Sequence, residues 1–170
     1  MLQLTTQSPT VFTLSTEDNR CYTHTLDAEH LVVPKTQIRF LFKIVSEMSN
    51  VVSYVYPSSL TIYDRYSIMT INVINTTADM FAGQVKLEMS GHYTYEVYEV
   101  SWGGTVVVSE TTAPATETHV FDPASNTKGV VRGLVTKGTM YVDDKAGTEQ
   151  VQYSEYVSNI PDTGTIYYGQ

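Results

Sequence analysis

The chain is poor in cysteine and in charged residues. Cys21 is its single cysteine, and 16% of its 170 residues are charged, whereas soluble domains usually carry about 25%. One cysteine excludes a disulfide within the chain, and a chain of this length can bury a sufficient core without one. Hydroxyl groups must therefore cover much of the surface, and Thr, Ser and Tyr are frequent.

Basic residues are scarcer than acidic ones. The chain has 10 Lys and Arg against 18 Asp and Glu, which gives a net charge of −8 at pH 7. A chain of this charge repels the phosphates of nucleic acid, and no run of Lys or Arg offers a local exception. We therefore expect no direct contact with DNA or RNA.

Long hydrophobic runs are absent from the sequence. The longest apolar runs span only a few residues, too few for a helix that crosses a membrane. Residues 1–7 lack the basic region and the apolar core of a secretory signal. We expect a protein with no membrane partner that acts where it is synthesised, or that other factors carry out of the cell.

Alternation of apolar and polar residues is the main structural signal. In residues 38–44, the apolar side chains at positions 38, 40, 42 and 44 share one face of a strand, while Arg39 and Lys43 share the other, which is typical of a half-buried strand. Similar runs, rich in β-branched and aromatic residues, are found at 51–56, 67–74 and 84–89. Short strands separated by turn residues predict an all-β sandwich or barrel.

Turn and loop residues divide the chain between these strands. Paired glycines at 103–104 predict a hairpin turn over residues 102–105, and a second hairpin turn is predicted at 143–147. A short helical turn is predicted at 77–81. Residues 109–127 are polar and loop-like, and we interpret them as a long excursion from one sandwich instead of a linker.

These elements predict three parts of the chain. Residues 1–10 precede the first strong strand and are predicted to form an N-terminal arm. Residues 11–157 are predicted to form the β-sandwich with its excursion. Residues 158–170 contain a turn and a short aromatic strand, and are predicted to form a C-terminal tail.

One cluster of metal-ligating residue types is present. Cys21, His24 and His30 lie close together in sequence, and zinc is commonly bound by such side chains. A fourth ligand at suitable spacing is missing. The sequence therefore favours a polar surface loop here, and we predict no metal site.

Catalytic motifs are missing from the sequence. It contains no nucleophile elbow, no phosphate-binding loop and no cysteine paired with an activating histidine. Glu96 and Glu99 are three residues apart, so on a regular strand their carboxylates face opposite sides and cannot act together on a glycosidic bond. We predict a protein that is not an enzyme and that holds no cofactor.

Aromatic residues are abundant, with 13 Tyr, 5 Phe and one Trp. Most are expected in the core or at the edges of the sandwich. A tyrosine also combines an apolar ring with a polar tip, which suits surfaces that meet a partner. Trp102, at the predicted hairpin tip, and Tyr167 and Tyr168, in the tail, are the predicted contact aromatics.

Residues 91–95 resemble the tyrosine-corner strand of immunoglobulin-like domains. In that strand a Gly-x-Tyr-x-Cys pattern places a tyrosine two residues before a cysteine, and in this sequence Tyr95 takes the place of that cysteine. The resemblance implies an Ig-like antiparallel β-sandwich without the antibody disulfide.

The order of several segments along residues 36–170 is similar to that of small virion proteins of tailed phages infecting Bacteroidetes, including crAss-like phages. These segments are residues 40–43, 65–66, 91–99, 132–135 and 140–142, followed by the Tyr-rich tail. The resemblance implies an auxiliary capsid protein on the phage head, assembled in the host cytoplasm. It implies no catalytic residue.

The sequence leaves several functions open. The first is a structural virion subunit, most simply an auxiliary or decoration protein that contacts the major capsid protein or neighbouring copies of itself. A neck, ring or tail component of the virion is an alternative location. A second class is a glycan- or receptor-binding module, in which Trp102 would be part of an exposed binding platform.

Overall fold

The computed structural model describes residues 1–16, 33–87, 90–122 and 127–143. In these residues the chain forms nine strands and no α-helix. Two three-residue 3-10 turns lie at Lys35–Gln37 and Met80–Ala82, the second at the end of the predicted helical turn. The strands are β1 (Leu2–Thr5), β2 (Pro9–Ser15), β3 (Ile38–Ser46), β4 (Val52–Val55), β5 (Ser59–Ile62), β6 (Tyr66–Ile74), β7 (Gln84–Lys86), β8 (Gly91–Ser101) and β9 (Val130–Asp143).

The strands form two sheets that pack face to face. One sheet has the order β1-β9-β8-β3-β4, and the other has the order β2-β6-β5, with β7 beside the end of β6. This arrangement confirms the predicted all-β sandwich. The placement of β2, β6 and β5 in one sheet and β3, β8 and β9 in the other follows the strand order of Ig-like domains.

Two strand pairs differ from the wholly antiparallel sandwich that the sequence predicted. β1 pairs with β9, and β7 pairs with β6, both in parallel register. Neither pair is joined by a hairpin, because each brings together segments separated by other elements. The sheets are therefore mixed.

The alternation in β3 has the predicted effect. Ile38, Phe40 and Phe42 are completely buried between the sheets, while Arg39 and Lys43 lie on the opposite face of the strand. We call that opposite face of the five-stranded sheet the outer face. Because β3 pairs with β8 along its whole length, it forms the centre of the molecule.

Three aromatic rings connect the two sheets through the core. The rings of Phe12 on β2 and Phe42 on β3 meet edge to face with centroids 5.7 Å apart. The ring of Tyr95 on β8 lies 6.3 Å from that of Phe42. Ig-like domains of antibodies place a disulfide between these two sheets, with a tryptophan against it. In this chain the packing of these three rings connects the two sheets, and no disulfide is needed to do so.

The first ten residues belong to the sandwich and do not form a separate arm. Leu2 and Leu4 of β1 are buried in the main core, and β1 pairs with β9 over residues 2–5. Residues 9 and 10 already belong to β2. Burial of alternate apolar side chains explains why this segment is held in the sheet.

The predicted hairpin at residues 102–105 is wrong. β8 pairs with β9, which begins only at Val130, and residues 106–108 form no strand. The connection between the two strands is therefore residues 102–129, which contain the predicted loop at 109–127. We call its described part, residues 102–122 and 127–129, the excursion.

 

The pairing of β8 with β9 shows what a local hairpin would lack. The whole of β8, from Gly91 to Ser101, pairs with β9. The local partner that the sequence predicted has only three residues. Each added pair contributes backbone hydrogen bonds and side-chain contacts across the strands. The long-range pairing therefore wins over the local turn signal.

Other predicted segments fall wholly or partly outside the described residues. The second predicted hairpin begins in β9, where both edges of residues 140–142 are occupied by β1 and β8; its second strand is not described. The tail at 158–170, including Tyr167 and Tyr168, and the cluster of Cys21, His24 and His30 also lie outside the described residues.

Candidate functional site: the excursion on the outer face

The excursion packs onto the outer face of the five-stranded sheet, where it forms a second hydrophobic core. Five buried residues make up this core, and partly buried side chains from β4, β8, β9, the excursion and the 3-10 turn at 80–82 surround them. Burial of apolar area is what holds a segment without regular secondary structure in place. The buried residues are Leu41, Tyr56, Val100, Trp102 and Ala113.

Trp102 lies at the centre of this second core. Its side chain is only 1% exposed, and its backbone N–H donates to the carbonyl of Gln37. Gly129, at the end of the excursion, lies against the indole so closely that an added Cβ would be 2.7 Å from Trp102 Cζ2. The prediction that Trp102 is an exposed contact aromatic is therefore wrong, because the excursion closes over it.

Tyr56 joins the excursion to the strands. Its hydroxyl donates to the carbonyl of Pro114 at 2.7 Å, and its ring stacks on Phe81 with centroids 6.0 Å apart. Burial raises the pKa of the Tyr56 hydroxyl, which therefore stays protonated and keeps donating this hydrogen bond. The contact fixes the middle of the excursion above β4.

A network of charged and hydroxyl groups borders the second core. Lys43 Nζ lies 2.7 Å from Glu117 Oε1, on the excursion, and 3.3 Å from Glu96 Oε2, on β8. The hydroxyl of Tyr54 donates to Glu117 Oε2 at 2.6 Å, and that of Tyr98 donates to Glu96 Oε2 at 2.7 Å. We call these five residues the clamp network, because it ties the excursion to three strands.

The groups of the clamp network stabilise each other's charge. The hydrogen bond to Glu117 raises the pKa of Lys43, and the bond to Glu96 adds to this effect. The hydrogen bond from Tyr98, followed by that from Lys43, lowers the pKa of Glu96. Burial acts to raise the pKa of Glu117, but the bonds from Lys43 and Tyr54 outweigh it and the pKa is lowered. At neutral pH the network therefore holds one cation and two anions.

The geometry of the clamp network suits a structural role. A carboxyl group that acts as a general acid needs a raised pKa, whereas Glu96 and Glu117 both have lowered ones and both accept bonds from a tyrosine. Glu99, three residues after Glu96 on β8, is buried, and the alternation of the strand directs it to the other face of the sheet. The network therefore fixes the excursion, and its carboxylates are already occupied.

Stability should fall at alkaline pH because of the clamp network. Burial, together with bonds to the two glutamates, raises the pKa of Tyr54 and of Tyr98 to about 12, from an ordinary value of 10.0. These hydroxyls therefore contribute stability that is complete below pH 10 and is lost as the pH rises towards 12. We expect the free energy of unfolding, measured in urea at pH 9 and pH 11, to fall less in the double variant Tyr54→Phe, Tyr98→Phe than in the wild type. An equal fall in both proteins would contradict the assignment of the effect to Tyr54 and Tyr98. It would assign the fall to groups that both proteins keep, such as Tyr56 and Tyr95.

The far end of the excursion carries a small aromatic group. The rings of His119 and Phe121 are 4.6 Å apart, and Lys128 Nζ lies 5.0 Å from the centre of the Phe121 ring. His119 Nδ1 accepts a hydrogen bond from the backbone N–H of Ala115. Val120 lies between the two rings in sequence and is 82% exposed, so this end holds an apolar side chain out to solvent.

Comparison of the chain with known proteins gives no match. No family model, no curated protein and no solved structure matches it. The fold and the site must therefore be interpreted from their own residues.

The described part of the chain also lacks two further features. It holds no group of three or more His, Cys, Asp or Glu side chains placed to bind a metal ion. None of its helical segments has the length and apolar character needed to cross a membrane.

The sequence predicted little of this site. Its alternation placed Lys43 on the polar face of one strand and Glu96 on another strand, but it gave no sign that Glu117 would meet them. Glu117 lies 74 residues after Lys43, in a segment whose composition indicates only a loop. Alternation predicts which way a strand residue points, whereas the docking of a loop depends on contacts far apart in sequence.

Proposed function

We propose that the protein is a non-enzymatic structural subunit that works through contacts with other proteins. Following the resemblance of its segment order, the more specific form of this proposal is an auxiliary protein of a phage virion that contacts the capsid protein. The structure supports the first, broader form through the exposed apolar side chains of the excursion.

The observation that carries the proposal is the fixed excursion. The second core and the clamp network hold the excursion against the sheet, while Val107 and Val120 stay 48% and 82% exposed on its outside. Val130 and Leu134, which follow in β9, are also exposed. Apolar side chains held at the surface by a rigid frame favour contact with another protein, because little conformational entropy is lost on binding.

Assembly on a symmetric shell would suit such a surface. Each copy needs only a modest contact when many copies bind a regular lattice, because neighbouring contacts reinforce each other. The acidic net charge of −8 fits an outer position better than one against packaged nucleic acid. Both considerations favour the head surface over a location beside the genome.

A glycan-binding function has lost its main support. That hypothesis depended on Trp102 as an exposed platform, and Trp102 is buried in the second core. A variant of Trp102 would therefore report on folding and not on sugar recognition. We do not propose a glycan ligand.

Cosedimentation with capsids tests the proposal. We expect the purified chain to sediment with expanded capsids of the phage that encodes it, in a saturable manner. Val120→Asp should weaken this binding by about tenfold or more, because a charge would replace an apolar contact at the interface. Val11→Asp is the matched control, since Val11 is also well exposed but lies on β2, in the other sheet.

Each outcome decides one part of the proposal. A folded chain that never sediments with capsids would exclude the capsid assignment. Binding that Val120→Asp leaves unchanged would exclude the outer end of the excursion as the contact. Equal weakening by Val11→Asp and Val120→Asp would indicate a general effect of charge and would also contradict the assigned surface.

A further inference from the structure

Within residues 1–16, 33–87, 90–122 and 127–143, one half-buried guanidinium has no negatively charged partner. Arg39 lies near the beginning of β3, and its Nη1 donates to the backbone carbonyls of Ile38 at 2.6 Å and Thr36 at 3.3 Å. These bonds orient the group without neutralising it. Among the described residues, no carboxylate forms an ion pair with Arg39.

Lys43, on the same strand, makes the contrast clear. Its charge is matched by the carboxylates of Glu96 and Glu117, and its pKa is raised as a result. The pKa of Arg39 is instead lowered, because burial disfavours its charged form. A guanidinium has five N–H donors, and the two bonds described use only Nη1, so Nε and Nη2 keep donors for an acceptor.

An open cleft lies next to Arg39. β4 pairs only with residues 42–45 of β3, so within the described part of the chain no strand pairs with the first half of β3 on that edge. The cleft has a volume of about 350 Å³ and combines two cations, two hydroxyls and two aliphatic side chains, with no acidic residue in its lining. Its lining residues are Lys35, Thr36, Arg39, Leu60, Thr61 and Ile62.

We propose that this cleft binds a carboxylate carried by an extended segment of a partner protein. The planar guanidinium of Arg39 matches a carboxylate in shape and charge. Leu60 and Ile62 of β5 form an aliphatic wall that suits an apolar side chain beside the acidic one. The protein nature of the partner rests on the proposed function, whereas the carboxylate preference rests on the cleft alone.

Lys35 contributes a second, weaker positive charge to the cleft. It already forms an ion pair with Asp64, whose side chain is largely exposed. An exposed pair of this kind has little energy to lose when another carboxylate approaches. Removal of Lys35 should therefore weaken binding less than removal of Arg39.

A short peptide provides the test. We would titrate the full chain with acetyl-Leu-Glu-amide and follow the methyl signals of Leu60 and Ile62 by NMR. We expect saturable shifts, and binding that is about tenfold weaker or more for acetyl-Leu-Gln-amide, because the charge-assisted bond to Arg39 is lost. Arg39→Gln should cause the same loss, Lys35→Gln a smaller one, and Lys137→Gln, an exposed lysine on β9, none.

Several results would overturn the proposal. Equal binding of the Glu and Gln peptides, or binding that Arg39→Gln leaves intact, would exclude Arg39 as the carboxylate site. Glucuronate that binds as tightly as the Glu peptide would assign the cleft to an acidic sugar and not to a protein segment. The absence of any shift would exclude the cleft, whatever the result of capsid cosedimentation.

A folding control keeps the test decisive. The methyl spectrum of each variant should match that of the wild type outside the cleft before titration. If Arg39→Gln does not fold, Arg39→Lys serves in its place, since it keeps the charge but loses the planar fork. Binding by Arg39→Lys at wild-type strength would then contradict the proposed match between the planar guanidinium and the carboxylate.

Discussion

Replacing Trp102 with alanine should destabilise the protein by about 3–5 kcal/mol, the usual cost of removing a buried tryptophan or phenylalanine from a core. The indole fills the centre of the second core and is almost fully buried. Its loss would leave a cavity below the excursion, because Gly129 has no side chain to fill the space. The free energy of unfolding in urea, followed by circular dichroism, measures the effect.

Val120→Ala is the matched control for Trp102→Ala. Val120 lies on the same excursion but is mostly exposed, so its truncation should change stability by less than about 0.5 kcal/mol. Trp102 is the single tryptophan, and its fluorescence in the wild type should resist quenching by iodide. A small stability loss in Trp102→Ala, or ready quenching in the wild type, would mean that the excursion does not cover this side chain.

Phe42→Ala should have an effect of similar size, about 3–5 kcal/mol, on the main core between the sheets. Phe42 is completely buried and contacts the rings of both Phe12 and Tyr95. Truncation would remove the central ring of the trio that connects the two sheets. Thermal and urea unfolding of the variant should both show the loss.

Phe42→Leu distinguishes loss of volume from loss of any aromatic ring. Leucine keeps most of the apolar volume, so we expect a cost of roughly 1 kcal/mol from imperfect packing and the lost ring contacts. A cost as large as that of alanine would indicate that the aromatic geometry dominates. A cost near zero for Phe42→Ala would contradict the assignment of this residue to the main core.

The two cores have different consequences for function. The main core holds the sandwich together, and its loss should unfold the whole chain. The second core holds the excursion, so Trp102→Ala should also affect any contact that depends on Val107 and Val120. Comparison of Trp102→Ala with Phe42→Ala under conditions in which both remain folded would separate these two effects.

The sequence predicted the parts of the fold that depend on local alternation. The pattern in residues 38–44 determines which side chains of β3 face the main core, because successive side chains of a strand point to opposite faces. Runs of β-branched and aromatic residues likewise located β4 and β6. Even the opposite orientation of Glu96 and Glu99 followed from spacing alone.

Only the tertiary structure decided where the excursion lies and which of its side chains are buried. The Trp-Gly-Gly sequence at 102–104 has the local chemistry of an exposed turn, yet Trp102 is buried because β8 pairs with the distant β9 and leaves residues 102–129 to fold back. The bond between Lys43 and Glu117 spans 74 residues, and spacing carries no information about such a contact. A strand's faces are fixed by its own backbone, whereas a loop's position is fixed by whatever apolar surface and charge it meets.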